Sequence, residues 1–112
     1  MIRVAVPEIS VQEAQRLLQS ETPPRLIDVR EPDEWEVCRI PGAELLPLSE
    51  WPGLVGDKLH DPAQPLILHC HHGGRSGRAA DFLLRNGFTD VKNLTGGIDA
   101  WSAEIDPSVA RY

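Results

Sequence analysis

Apolar positions along the chain fall into short runs whose spacing changes from helical to continuous. The first pattern opens with Ser10-Val11-Gln12-Glu13, which has the form of a capping box: a serine at the helix N-cap and an acid three positions later. Apolar residues then recur at helical spacing, at Val11, Ala14, Leu17 and Leu18. Because Pro23-Pro24 cannot continue a helix, the pattern predicts a helix that begins at Ser10 and ends before these prolines.

Four further segments have the apolar composition of short β-strands, and segments of helical character separate them. The strands are predicted at 25–29, 43–46, 66–68 and 91–94, and the helices at 32–37, 75–86 and 96–101, with a weakly helical stretch at 49–59. The run Leu66-Ile67-Leu68 is typical of a strand covered on both faces. Strands that alternate with helices predict an α/β domain with a largely parallel sheet.

Length and charge narrow the class of protein. A chain of 112 residues and 12.4 kDa is long enough for one core, so we expect a single domain over residues 1–112. Eleven basic and seventeen acidic residues give a net charge of −6. This balance argues against a nucleic-acid surface, which needs clustered cations, and against a polybasic membrane patch.

The sequence also lacks the usual signals for membrane insertion and secretion. No apolar run exceeds four residues, whereas a transmembrane helix needs about 20. The segment Met1–Pro7 lacks the basic region and apolar stretch that open a signal peptide. Two cysteines, Cys38 and Cys70, are too few for a disulfide framework. We therefore expect a protein of the reducing cytoplasm that does not enter a membrane.

The polar loop after the strand at 66–68 carries the most informative chemistry. Cys70 stands at the carboxyl end of that strand, where open α/β sheets place their ligands. Gly73 and Gly74 allow backbone N–H groups to turn inward as an anion-binding nest, and the next helix adds its positive N-terminal end. Arg75 adds a permanent positive charge. Together these features predict a stabilised Cys70 thiolate at the base of a small anion cradle.

Other interpretations of this loop also have to be considered. A cysteine at a strand end is often a small buried hydrophobe, although a loop with an arginine and two imidazoles is an unusual place for one. A metal site would use the adjacent histidines, but neighbours in a tight loop rarely converge on one ion, so we expect no metal. Cysteine phosphatases have the spacing Cys-x5-Arg, whereas Cys70 and Arg75 have Cys-x4-Arg. The shorter loop favours a single sulfur atom over a phosphate.

Four segments match known signatures in the right order across nearly the whole chain. They are LIDVREPDEW at 26–35, IPGA at 40–43, CHHGGRS at 70–76 and NLTGGIDAW at 93–101. These segments resemble the rhodanese-like, or sulfurtransferase, family. The resemblance implies a single rhodanese domain, with a central five-stranded, mostly parallel sheet flanked by helices, and no cofactor.

The resemblance also assigns roles to individual residues. It puts Cys70 in the position of the nucleophile, where it would accept a sulfane sulfur as a persulfide. The substrate-binding residues would be His71, His72, Gly73, Gly74, Arg75 and Ser76. Which of the two histidines faces the site stays open. Arg39 and Arg78 are candidates, with Arg75, to assist the departure of sulfite. Asp28 would either hydrogen-bond the loop or serve as a turn carboxylate.

One departure from the family pattern points to a subgroup. Many members have Gly-His before Ile-Pro-Gly-Ala, whereas this chain has Cys38-Arg39. That segment and the ending at 96–112 look similar to the rhodanese module of enzymes that activate sulfur-carrier proteins for molybdopterin, thiamine or tRNA thiolation. Here the module is expected to stand alone, without an adenylating domain. Cys38 is either a resolving thiol or a buried structural residue.

The resemblance therefore implies a sulfurtransferase of the thiosulfate:cyanide type. Its donor would be thiosulfate or a protein persulfide, and its acceptor cyanide, a thiol or a sulfur-carrier protein, with no nucleic acid or membrane involved. We expect a monomer or a weak dimer. The alternative is a relay or docking module that turns over little free thiosulfate. A catalytically silent domain is disfavoured, because such a domain would need neither Cys70 nor Arg75.

Overall fold

The computed structural model describes residues 5–112 and contains one five-stranded sheet. All four strand pairings are parallel, in the order β1-β5-β4-β2-β3. The strands are β1 Glu8–Ile9, β2 Arg25–Asp28, β3 Glu44–Leu45, β4 Leu66–His69 and β5 Val91–Leu94. The helices are α1 Val11–Leu18, α2 Pro32–Val37, α3 Gly53–Lys58, α4 Gly74–Arg85 and α5 Gly97–Glu104, with a 3₁₀ turn at Leu48–Glu50. The predicted α/β class and the five-stranded parallel sheet are thereby confirmed.

Local sequence signals account for most of these elements. The hydroxyl of Ser10 accepts a hydrogen bond of 3.1 Å from the N–H of Glu13, which confirms the predicted N-cap of α1. Pro32 occupies the first turn of α2, where its missing N–H costs nothing. Strand β1 was not predicted, because two residues are too few to show an alternating pattern. It forms only by pairing with β5.

The core lies on both faces of the sheet. Alternate residues of the central strands point to opposite sides, so Leu68 packs in one apolar cluster and Ile67 in the other. The first cluster includes α4, and the second includes α1 and α5. Every residue of β4 is buried, as the continuous apolar run predicts for a central strand.

The parallel arrangement places several loops at one edge of the sheet. Strand β4 ends at His69 and α4 begins at Gly74, so residues 70–73 connect the two at the carboxyl ends of the strands. The segments that follow β2 and β5 emerge at the same edge. Within residues 5–112, no helix has the length and hydropathy needed to cross a bilayer. The first four residues of the segment Met1–Pro7 lie outside the described part.

Candidate active site

Cys70 lies at the base of the connection between β4 and α4. Its side chain is only 1% exposed and belongs to the apolar cluster that includes Leu68 and Ala79. The sulfur nevertheless has polar partners: the Gly73 N–H donates to Sγ at 3.1 Å, and the Ser76 hydroxyl lies at 3.4 Å. Cys70 is therefore buried, as a structural cysteine would be, but its sulfur also faces hydrogen-bond donors.

These donors determine the direction in which the thiol titrates. Burial by itself raises the pKa of Cys70, since it penalises the charged thiolate. The Ser76 hydroxyl opposes burial, as do the backbone N–H groups of Ser76, Gly73 and Arg75, and the net effect holds the pKa of Cys70 below its ordinary value. The surroundings of the sulfur thus favour the thiolate, which is the nucleophilic form.

Asn93 on β5 fixes the shape of this loop. Its side-chain N–H₂ donates to the Gly73 carbonyl at 3.1 Å, and its Oδ1 accepts a hydrogen bond of 2.5 Å from the Ser76 hydroxyl. Gly73 has a φ of +114°, a conformation that favours glycine. Asn93 therefore orients two of the groups that contact the sulfur. The sequence analysis placed Asn93 in a signature but gave it no role.

The start of α5 holds the other side of the loop. The N–H of Ile98 donates to the Cys70 carbonyl at 2.9 Å, and the N–H of Asp99 donates to the His71 carbonyl at 3.2 Å. The approach is close because residue 97 is glycine: a Cβ there would lie 2.5 Å from both carbonyl oxygens. Two loop carbonyls are thus directed at α5, while the N–H of Gly73 donates to the sulfur.

The guanidinium of Arg75 lies on a carboxylate. It donates to both oxygens of Glu34 on α2, at 2.6 and 2.8 Å. The hydrogen bond from Arg75 is the main reason that the pKa of Glu34 falls to about 2, against the opposing effect of burial. The guanidinium is thus bound by Glu34, whereas the backbone N–H of Arg75 helps to lower the pKa of Cys70. The predicted role of Arg75 in substrate binding stays a prediction.

Tyr112 contacts this ion pair and the loop together. Its hydroxyl donates to Glu34 Oε2 at 2.7 Å and accepts from Arg30 Nη1 at 2.9 Å. Its ring stacks on the His71 imidazole, with centroids 4.0 Å apart and planes 5° from parallel. No local sequence signal connects residue 112 with the loop, since the contact depends on the tertiary fold.

The two histidines of the loop have different surroundings. His71 is partly buried and stacks on both Tyr112 and His72. His72 is exposed, and its Nδ1 lies 4.0 Å from Asp99. In the described part of the chain, neither imidazole hydrogen-bonds the Cys70 sulfur. Their predicted role in substrate binding stays a prediction.

Asp28 is bound by an arginine two residues further along the chain. It is fully buried and accepts hydrogen bonds from Arg30 Nη2 at 2.7 Å, from Arg30 Nε and from the Arg30 backbone N–H. Of the two roles left open for Asp28, the bond from the Arg30 backbone N–H corresponds to the turn carboxylate, and the side chain of this buried arginine occupies the rest of the carboxylate. Arg30 extends to the Cys38 carbonyl at 2.7 Å, a role that the sequence analysis missed.

The remaining candidates lie outside the cluster around the sulfur. Arg39 is exposed, and its guanidinium sits 4.7 Å from the centre of the Trp35 ring. Cys38 is buried with its thiol free, and Arg30 Nη1 lies 3.8 Å from its sulfur. Residues 5–112 contain no cluster of three or more histidine, cysteine or acidic side chains that could hold a metal ion.

Several known proteins have similar sequences. A GlpE thiosulfate sulfurtransferase from Pseudoalteromonas translucida is 34% identical over 96% of this chain and all of its own length. An adenylyltransferase and sulfurtransferase MOCS3 from Drosophila sechellia is 38% identical over 93% of this chain. The chloroplastic rhodanese-like/PpiC domain-containing protein 12 of Arabidopsis thaliana is 38% identical over 98%. The chain spans only 24% of the MOCS3 protein and 38% of the Arabidopsis protein.

Comparison of the fold and a match to a family model both indicate the same family as these relatives. A rhodanese-like domain protein from Staphylococcus aureus superposes with a TM-score of 0.80 at 26% identity, covering 96% of this chain and 99% of its own. The sequence model of the rhodanese-like domain family matches residues 10–104 of this chain. The chain therefore belongs to the rhodanese-like domain family, whose members include thiosulfate sulfurtransferases.

Proposed function

We propose that this protein is a sulfurtransferase that carries a sulfane sulfur as a persulfide on Cys70. The observation that carries the proposal is the pairing of the Cys70 sulfur with the Gly73 N–H and the Ser76 hydroxyl at the carboxyl end of β4. The Gly73 N–H stabilises a negative charge on sulfur, and the Ser76 hydroxyl does so when its single proton turns from Asn93 Oδ1 to the sulfur. A thiolate and a persulfide are both anions, so the same donors serve the resting enzyme and the intermediate.

The reaction has two displacements. The Cys70 thiolate attacks the outer sulfur of thiosulfate, a new sulfur–sulfur bond forms, and the old one breaks to release sulfite with its electron pair. A nucleophile such as cyanide then attacks the outer sulfur of the persulfide. Thiocyanate leaves and the Cys70 thiolate returns, so no external oxidant or reductant is needed.

Replacing Cys70 with alanine tests this assignment. We expect Cys70→Ala to reduce thiocyanate formation from thiosulfate and cyanide to background, because the nucleophile is gone, while the circular dichroism spectrum keeps its native form. The matched control is Cys38→Ser, which removes the other thiol of the chain. Undiminished turnover in Cys70→Ala would refute the role of Cys70, and a normal rate in Cys38→Ser would exclude a resolving role for Cys38.

A relay module is the second candidate, and the similarity to the MOCS3 sulfurtransferase favours it. In this case the persulfide on Cys70 is exchanged with a partner protein, and free thiosulfate is a poor donor. The net charge of −6 suits a basic partner. Slow turnover with thiosulfate combined with rapid persulfide exchange between proteins would identify the relay.

A further inference from the structure

Carboxylates neutralise two guanidinium groups of the hydrogen-bonded network beside the loop, those of Arg75 and Arg30. The Arg75 guanidinium is bound at both ends by Glu34. Arg30 is paired with the buried Asp28, with 2.7 Å between Nη2 and Oδ2. Arg30 is fully buried, so of these two cations only Arg75 is accessible to an anionic donor, and Glu34 already balances its charge.

Glu34 is held in this place by more than Arg75. Its Oε1 accepts a hydrogen bond of 3.1 Å from the Glu31 N–H, which completes the capping box of α2. Its Oε2 accepts another of 2.7 Å from the Tyr112 hydroxyl. With three partners on three segments, the carboxylate is fixed beside Arg75.

We propose that Glu34 is a specificity-determining residue that acts through Arg75 and makes the site prefer a singly charged sulfur donor, such as a thiosulfonate or a thiol persulfide, over the thiosulfate dianion. The proposal rests on the sulfurtransferase function proposed above. Glu34 acts in two ways: it occupies two N–H groups of Arg75 that could otherwise bind a donor, and it adds a negative charge that repels one.

Electrostatics predicts how the effect of the Glu34 charge on the reaction rate depends on the charge of the sulfur donor. Coulomb energy is proportional to the charge of the incoming ion. If removal of the Glu34 charge speeds the reaction of a monoanion by some factor, the same removal speeds the reaction of a dianion by about the square of that factor. Salt screens both effects and brings the two donors closer together.

The test compares Glu34→Gln with a control on the same helix. Glutamine keeps a side-chain oxygen for the capping box, which accepts either residue, so α2 should form. Glu36→Gln removes the same charge from an exposed position of α2. For each protein, the rate of persulfide formation is measured by quenched mass spectrometry with thiosulfate, a dianion, and with methanethiosulfonate, a monoanion.

In Glu34→Gln we expect the second-order rate constant with thiosulfate to rise about threefold to tenfold and that with methanethiosulfonate to rise less, so that their ratio shifts toward thiosulfate. The shift should shrink in high salt and be absent in Glu36→Gln. An unchanged or lower ratio in Glu34→Gln would overturn the inference. If the wild type forms no persulfide with either donor, the proposed function itself fails, so the two failures are distinguishable.

Discussion

At the scale of single residues, the surroundings of the Cys70 sulfur decide the chemistry. The thiol is buried, and burial alone would keep it protonated. The donors from Gly73, Ser76 and Arg75 reverse that preference. Among them, the Ser76 hydroxyl lowers the pKa of Cys70 most, and the single proton of this hydroxyl has both the sulfur and Asn93 Oδ1 as acceptors.

Removing this hydroxyl should shift the titration of the thiol. We expect Ser76→Ala to raise the pKa of Cys70, because the thiolate loses a hydrogen-bond donor while the burial stays. The wild-type thiolate persists to lower pH than that of the variant. The measurement is the ultraviolet absorbance of the thiolate against pH, in a Cys38→Ser background.

The control for this experiment is Ser20→Ala, which removes an exposed hydroxyl that donates to the Leu17 carbonyl after α1. Its titration should match that of the Cys38→Ser parent. If Ser76→Ala titrates at the same pH as the parent, the Ser76 hydroxyl does not stabilise the thiolate.

The sequence predicted part of this site. The position of Cys70 at a strand end and the loop glycines follow from local pattern, since strand, turn and helix signals are contiguous there. The role of Asn93 could not be read in the same way, because it depends on β5 lying beside β4. The side chain of Arg75 is long enough to reach several partners, and only the fold selects Glu34.

At the scale of elements, the junction between α5 and the loop positions the site. The first turn of α5 has N–H groups without partners inside the helix, and two of them bind the carbonyls of Cys70 and His71. Gly97 makes this contact possible, with a φ of +59° and no Cβ. The pair Gly96-Gly97 predicted the start of a helix, but not its contact with the loop.

A methyl group at position 97 should therefore displace the loop. We expect Gly97→Ala to lower the free energy of unfolding by at least about 1 kcal/mol more than Gly42→Ala, because a Cβ at 97 clashes with two backbone oxygens. Gly42 also has a positive φ, +87°, but nothing lies within 4 Å of its Cβ position. Urea denaturation gives the two free energies.

Comparing Gly97→Ala with Gly42→Ala also distinguishes the effect of backbone strain alone from the effect of displacing the loop. Gly42→Ala should keep its rate of sulfur transfer, since only the backbone conformation is penalised, by about 1–2 kcal/mol. Gly97→Ala should lose activity together with stability. Equal losses of stability in the two variants, with activity kept in both, would show that the contact of α5 does not position the loop.

At the scale of the whole molecule, a chain of polar contacts joins the buried centre to the loop. It runs from Asp28 through Arg30, Tyr112 and Glu34 to Arg75. Glu34 and Arg75 are 41 positions apart in the sequence, and Arg30 and Tyr112 are 82 apart. Sequence periodicity reports neighbours within one element, so it predicted the α/β layers but none of these pairs.

The parallel sheet is what makes this convergence possible. It brings the carboxyl ends of β2, β4 and β5 to one edge, and each end contributes a different part of the site. The thiol follows β4. Asp28 ends β2, and Arg30 and Glu34 follow it. The groups that hold the loop come from β5 and α5.

The most direct test of the account is the mass of the intact protein after exposure to a sulfur donor. We predict an increase of about 32 Da, one sulfur atom, on the wild type and on Cys38→Ser, located at Cys70 by peptide mapping and removed by cyanide. Cys70→Ser should gain nothing. An adduct on Cys38, an adduct that persists in Cys70→Ser, or no adduct with thiosulfate, methanethiosulfonate or a protein persulfide would contradict the account.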